Sequence, residues 1–338
     1  MSCGGSRRKA GAHPGGPSRR SAIISIRDYR SVAHSCTLNS HDNAPCARPT
    51  SKAPDPVTRL MTGSDIMSVR FWGVRGSIAC PGPETTIYGG NTACVEIHCG
   101  DDRIILDAGT GLRELGDTFD GGAPIDADIL LSHTHFDHIG GLPFFAPAYV
   151  GGSKLRMWAG HLRPEGGGLE NLLSSMMAAP LFPIPMGVMA SDKTFNDFCA
   201  GESFDLDCGA HVRTCPLNHP NGATGYRIEY GDGAVCYVTD TEHFDGTDDK
   251  NILSMIEGAD VFIYDATYTD AEYPSHVGWG HSTWQVGAKL AEKAGVKTYV
   301  PFHHDPSHND EIMAAIEAEA KAQFSGTVVA RESLVLEV

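Results

Sequence analysis

The chain has 338 residues, 41% of them apolar, and a formal net charge of −16. Residues 1–66 hold ten Lys/Arg against four Asp/Glu, a balance of +6, which leaves −22 for the remainder. A body that acidic repels phosphate backbones, because gripping them takes clustered Lys and Arg; it argues against a long RNA or DNA partner but allows a small anion that a metal neutralises locally.

The ten cysteines form no C-x-x-C pair. With no signal peptide and no apolar run long enough to span a bilayer, they predict reduced thiols in a cytoplasmic protein without a membrane partner. Residues 1–66 are rich in Ser, Arg, Pro and Gly, with only Ala22–Ile26 apolar. Such a segment cannot bury enough surface to offset its conformational entropy, so a disordered extension is expected. A second reading stays open, in which translation starts at Met61 or Met67 and the upstream part is not translated. Residues 67–338 then form one folded domain, opening on the strand-like Ser68–Trp72.

Further strands are expected over Ala93–His98, Arg103–Leu106, Ile129–Ser132, Gly225–Tyr230, Ala234–Val238, Val261–Tyr264 and Thr298–Phe302, without strict βα alternation. Cys94 and Cys236, inside two of these runs, read as small core residues. Between His161 and Phe204 a stretch rich in Met, Pro and Phe reads as a helix and loop covering one side of a cleft. A helix over Ser282–Ala294 carries a capping-box pattern in Ser282 and Gln285, with Gly295 as its stop. A last helix over Asp310–Phe324 puts Ile312, Ile316 and Ala320 on one stripe.

Directly after the strand Ile129–Ser132 comes His133-Thr134-His135-Phe136-Asp137-His138. Residues two apart in extended chain point the same way, so His133 and His135 present their imidazoles to one point. Asp137 and His138 follow at a helix start and face a second point, while Gly140 and Gly141 let the backbone pass close by. Imidazole with carboxylate suits zinc, and also manganese or iron.

This run resembles the HxHxDH motif of the metallo-β-lactamase superfamily, and the resemblance covers Met67–Val338. It implies an α+β fold, the four-layer αβ/βα sandwich, with two divalent metal ions at one edge, zinc first and Mn or Fe as alternatives. Following the family's order, His219 in Leu217–Pro220 joins His133 and His135 on one ion, with His211 as its rival. Asp240, in Tyr237–Thr241, bridges. His303, preferred to its neighbour His304, joins Asp137 and His138 on the other ion. Flavodiiron oxidoreductases carry Glu at the position of His135, and true β-lactamases carry cysteine at that of Asp240, so neither activity is expected.

The C-terminal third resembles the phosphodiesterase branch that includes RNase Z. Tyr264-Asp265-Ala266-Thr267 stands for its HEAT-like motif and Gly280-His281-Ser282-Thr283 for its GHST motif, with Asp265 replacing the usual Glu and shortening the reach. The resemblance implies an acid pair, Asp265 and His281, with Asp137 as the third catalytic candidate. A leaving oxygen needs a proton, which histidine supplies near neutral pH. The helix dipole beyond His281 disfavours imidazolium, and Asp265 would counter it. The runs Phe71–Ser77, Pro81–Pro83 and Tyr88–Thr92 resemble bacterial relatives of cyclic-nucleotide phosphodiesterases, and Asp107–Gly111 resembles a family loop beneath the metals. Arg75 and Asn91 read as loop formers before phosphate ligands, and Trp279, Trp284, Tyr268 and Tyr273 as packing before base stacking. His98, His161, His243 and His276 receive no role.

The expected activity is hydrolysis of a small phosphodiester, with a 3′,5′-cyclic nucleotide as first candidate, by attack of a metal-bridging hydroxide. Three alternatives stay open: an RNase Z-like tRNA 3′-processing endonuclease, a thioester or ester hydrolase of the same fold, and a nucleotide-binding protein without catalysis. A homodimer is compatible with the resemblance, since relatives pair to close their clefts.

Overall fold

The computed structural model describes residues 67–119, 122–162, 168–244 and 246–338. The expectations for residues 1–66 lie outside the described residues. In chain order the strands are β1 (Met67–Gly73), β2 (Cys94–Cys99), β3 (Asp102–Leu106), β4 (Asp126–Leu131), β5 (Lys154–Ala159) and β6 (Asp192–Asp197). They continue as β7 (Ser203–Asp205), β8 (His211–Leu217), β9 (Ala223–Tyr230), β10 (Gly233–Val238), β11 (Val261–Asp265), β12 (Thr298–Phe302) and β13 (Val335–Glu337). One sheet runs β13-β1-β2-β3-β4-β5-β6 and the other β12-β11-β10-β9-β8-β7.

Strands β3 to β6 pair in parallel, as do β10 to β12. Central parallel strands are covered on both faces, which is why β11 reads as an unbroken buried run, VFIYD. Alternate side chains sort the core into layers. Ile104 and Leu106 of β3 point between the sheets with Val69, Phe71, Val95 and Ile97, to meet Val212, Ile228, Val235, Tyr237, Ile263 and Phe302. Ile105 points the other way, under the outer helices.

Those outer layers are α1 (Gly111–Gly116), the single turn α2 (Phe136–Ile139) and α3 (Gly168–Met176) on the first sheet, held through Leu112, Leu115, Ile139, Leu169 and Leu173. On the second sheet lie α4 (Lys250–Ile256) and α5 (Trp284–Ala294), through Ile252, Met255, Ala288, Leu290 and Ala291. Beside them α6 (Asp310–Gln323) packs with Trp284 and Tyr88 through Met313, Ile316 and Ala320. Two sheets face to face with helices outside make the expected four-layer αβ/βα sandwich.

The expected strands occur, with ends shifted by at most three residues. Three local expectations need correction. Helix α5 starts at Trp284, not Ser282: Thr283 Oγ1 accepts from Val286 N at 3.3 Å as the cap. Ser282 is instead engaged by Tyr264 and His243. In α6 the buried stripe is Met313, Ile316 and Ala320, capped by Asn309, while Ile312 stands on the exposed side. Between His161 and Phe204, α3 is the expected helix, but Leu169, Leu173, Met177, Met186 and Met189 are core beneath it, and the stretch also contains β6 and the start of β7. Cys94 and Cys236 are buried as expected. Among the described residues no helix is long and apolar enough to cross a membrane.

Candidate metal centre

The candidate ligands gather at the C-terminal ends of strands. His133 and His135 follow β4, with Asp137 and His138 in α2; His219 follows β8, Asp240 follows β10 and His303 follows β12. The backbone here is crowded and strained. A Cβ on Gly141 would fall 1.9 Å from the carbonyl oxygen of Gly109. Asp107, Asp240 and His303 hold φ of 60°, 56° and 62°. That left-handed region costs a residue with a Cβ on the order of 1 kcal/mol or more and persists where the surroundings enforce it.

Two donor groups result. His135 Nδ1 lies 2.9 Å from His133 Nε2 and 3.2 Å from His219 Nε2. Beside them, His138 Nε2 and His303 Nε2 are 3.3 Å apart, and Asp137 Oδ2 is 3.2 Å from the first and 3.3 Å from the second. Asp240 stands between the groups. Its Oδ1 faces His133 Nε2 at 3.7 Å and His219 Nε2 at 3.8 Å. Its Oδ2 faces His138 Nε2 at 3.2 Å and His303 Nε2 at 3.4 Å.

The hydrogen bonds behind the rings set which nitrogen is free. His138 Nδ1 donates to Asp107 Oδ2 at 2.8 Å, His219 Nδ1 to the Gly280 carbonyl at 2.8 Å, and His303 Nδ1 to Thr267 Oγ1 at 3.0 Å. His133 Nδ1 lies 3.1 Å from Ser132 Oγ, whose own proton goes to Asp107 Oδ2. These partners assign the Nε2 lone pairs to the interior, where nitrogen faces nitrogen at about 3 Å. Lone pairs so opposed repel unless cations lie between them, and neutral imidazole with carboxylate is a donor set for divalent zinc, manganese or iron. The residues present therefore fit two metal ions.

The electrostatics agree. Burial opposes ionising Asp137 and Asp240, yet His138 above all holds both carboxyls well below the usual range; the same carboxylates, Asp240 first, push His138 well up, and a bound cation would take the place of that proton. Burial, reinforced by His138, pushes His133 well down, and burial also lowers His135 and His219, so these three rings are neutral, as ligands must be.

At the rim, His281 Nδ1 lies 2.9 Å from Asp265 Oδ2. The shorter acid thus reaches its partner. Asp265 Oδ1 also accepts from the backbone N–H and the hydroxyl of Thr267 at 3.1 and 2.9 Å. Burial disfavours protonated His281, but Asp265, then Asp240 and Asp137, outweigh it and push its pKa up to about 9. His281 shares a cavity of about 390 Å³ with Ser77, Thr134, His135, Phe136, Asp137 and Asp240, a lining without Lys or Arg.

The rivals lie elsewhere. His304 Nε2 donates to the Ala330 carbonyl at 2.8 Å, away from the donors. His211 pairs with Asp205 at 2.7 Å, at the far end of β8 from His219. Arg75 is fully buried, donating to the carbonyls of Gly89, Asp305 and His308, and Asn91 accepts from Thr110, so both build loops. Tyr268 and Trp284 are buried packing, Tyr273 donates to Glu242, and Trp279 is half-exposed. Of the histidines without a role, His98 meets Glu96, His161 meets Thr134 behind the site, His243 meets Ser282 and His276 stacks on Tyr268. Sequence reasoning missed the side chain of Asp107, which accepts from His138, Ser132 and the Tyr237 hydroxyl, and the Ser77 N–H, which donates to Asp137 Oδ2 at 2.7 Å. Both lie in runs that the resemblance singled out, Asp107–Gly111 and Phe71–Ser77, but those runs do not name their long-range partners.

Comparisons with known proteins agree with the fold. The Beta-lactamase superfamily domain matches residues 102–304. A ribonuclease Z of Bradyrhizobium sp. (strain ORS 278) is 26% identical over 284 residues, covering 70% of this chain and 90% of that protein. Among solved structures, the metallo-beta-lactamase fold protein YhfI from Bacillus subtilis superposes with a TM-score of 0.61 at 19% identity, covering 81% of this chain and 100% of that one. The short form of human tRNase Z superposes with a TM-score of 0.57 at 18% identity, covering 80% and 98%.

Proposed function

Because the chain belongs to the beta-lactamase superfamily, we propose that it is a dinuclear metal-dependent phosphodiesterase acting on a small phosphodiester, with a 3′,5′-cyclic nucleotide as first candidate. The observation that carries this reading is the arrangement around Asp240, whose two oxygens face two separate donor groups while His281, backed by Asp265, opens on the cavity that Asp240 also lines. His133, His135 and His219 would hold one ion, and Asp137, His138 and His303 the other, with Asp240 shared. Two ions bound there supply Lewis acidity toward the phosphoryl oxygens and a nucleophile at neutral pH, zinc being first choice and manganese or iron the alternatives.

The chain's own residues do the rest. Asp265 orients the His281 ring through Nδ1 and favours its protonated form. Nε2 of His281 then gives its proton to the departing oxygen as the P–O bond breaks, leaving a neutral imidazole and a free alcohol. The Ser77 N–H holds Asp137 in place. Size and charge support a small substrate: about 390 Å³ is mononucleotide scale, the lining has no cation to grip a polyanion, and residues 67–338 carry −22. The thiols of Cys80, Cys94, Cys99, Cys208, Cys215 and Cys236, none in a disulfide, support a cytoplasmic setting.

The likeness to ribonuclease Z across 90% of that protein favours a second reading, endonucleolytic cleavage of an RNA 3′ extension. One experiment separates the readings: metal analysis of the purified protein, coupled to a hydrolysis screen over bis-p-nitrophenyl phosphate, cyclic mono- and dinucleotides, a thioester and a precursor tRNA. Two equivalents of metal with turnover of a small diester are expected. One equivalent or less, or cleavage of the tRNA or thioester alone, overturns the proposal.

A further inference from the structure

Glu242, two residues beyond Asp240, is enclosed by the turn that leads to His281. Its Oε1 accepts from Gly278 N at 2.7 Å and from the Tyr273 hydroxyl at 3.0 Å, and its Oε2 accepts from Gly280 N at 2.9 Å. Gly278 and Gly280 sit at φ of 87° and 85°. That backbone turns its N–H groups to one side and makes a concavity that holds anions. Here the anion is a side chain of the same protein. Elsewhere in the turn, Trp279 N donates to the His276 carbonyl at 3.1 Å and the His276 ring stacks on Tyr268, while Val277 and Trp279 are exposed. On its other side, the Gly280 carbonyl accepts from His219 Nδ1 at 2.8 Å. The backbone of Glu242 completes the junction: its N–H donates to the Asn218 carbonyl at 2.8 Å, and its carbonyl accepts from Asn218 Nδ2 at 2.9 Å. One residue thereby ties together the loops that carry His219, Asp240 and His281.

We propose that Glu242 is the positioning residue for the general acid, fixing the 273–281 turn so that His281 stands where the leaving oxygen departs. This rests on the acid role given to His281 above. Asp265 orients the ring, while the backbone that carries the ring is held by Glu242 through charge-assisted hydrogen bonds. Removing those side-chain bonds spares the backbone bonds of Glu242 to Asn218 that join the His219 and Asp240 loops, but lets the acid drift, and small misplacements of a proton donor cost rate.

The test uses metal-loaded protein and two diesters that share a methyl group, methyl p-nitrophenyl phosphate and methyl phenyl phosphate. The first releases a phenolate that leaves without a proton, and the second one that needs help. Glu242→Gln and Glu242→Ala are expected to lower kcat on the phenyl ester about tenfold and to leave the p-nitrophenyl ester within about twofold. KM and bound metal stay unchanged. Gly278→Ala loosens the same turn by another route, since its Cβ meets nothing within 4 Å but its φ is strained, and it should reproduce the selective loss even if the Glu242 variants fail to fold. In a His281→Ala background, Glu242→Gln should add nothing. Equal loss on both esters, no loss, or loss of metal overturns the inference. If His281→Ala itself slows both esters equally, the acid role falls instead. If His281→Ala is selective and Glu242→Gln is not, only the present inference falls.

Discussion

Asp107 receives His138 Nδ1 at 2.8 Å, the Ser132 hydroxyl at 2.8 Å and the Tyr237 hydroxyl at 2.8 Å. It sets the tautomer of one candidate ligand directly and of His133 through Ser132. Asp107→Asn removes the negative charge and is expected to weaken metal binding about 10- to 100-fold, as read by chelator competition; unchanged affinity would remove Asp107 from the centre. For His281, the raised pKa of about 9 fixes the sign of a pH effect. An acid must be protonated, so kcat is expected to fall as pH rises toward and through that value, with bound cations drawing the limb to lower pH. His281→Ala should lose this limb, and a wild-type profile flat to alkaline pH would contradict the role. His133, His135, Asp137 and His138 were legible because they form a contiguous motif, whereas His219, Asp240 and His303 were placed only by the order that the family resemblance implies. Asp107, Ser77 and Glu242 were not, because each acts through hydrogen bonds to residues far along the chain or through its neighbours' backbone, which no local pattern encodes.

Helix ends and close backbone crossings carry the next scale. In α5, Thr283 caps the start and Gly295 ends it at φ 67°. Thr283→Ala should destabilise the fold by about 1 kcal/mol in urea denaturation, and Ser282→Ala should leave the cap intact. The sequence pointed to Ser282, through its spacing from Gln285, as the cap. What decided for Thr283 is tertiary: Tyr264 and His243 occupy the Ser282 hydroxyl. Gly141→Ala is expected to lose well over 1 kcal/mol, measured the same way, because the new methyl would meet the Gly109 backbone, which cannot swing aside as a side chain can. Strands with buried central runs, such as β4 and β11, were readable from apolarity alone. Strand β6 was not: at the sheet's edge it reads DKTFND, with its residues exposed or half-buried. Edge strands lose the apolar signal because only part of one face is covered.

Taken whole, the molecule should respond sharply to acid. Burial pushes the pKa of His304 down to about 3 against its ordinary 6.5. The unfolded chain therefore takes up this proton first. The stability contribution is complete above pH 6.5 and is lost as pH falls toward 3, roughly 3 kcal/mol between pH 7 and pH 4. Urea unfolding at a series of pH values checks this. His304→Gln should flatten that slope relative to wild type, and an identical slope would contradict the assignment. A second whole-molecule property follows from how the donors are shared. His133, His135, Asp137 and His138 belong to the first sheet's side, and His219, Asp240 and His303 come from the second, so each donor group draws on both sheets. An ion bound to either group acts as a clip across the core, and stripping it with EDTA should lower the calorimetric Tm; an unchanged Tm would mean the ions bind without bracing the fold. A chain clipped in this way has its lifetime coupled to mineral supply. Under scarcity the demetallated form would open more often, offer its loops to proteases and be cleared, so abundance in the cell would follow the supply of the bound metal.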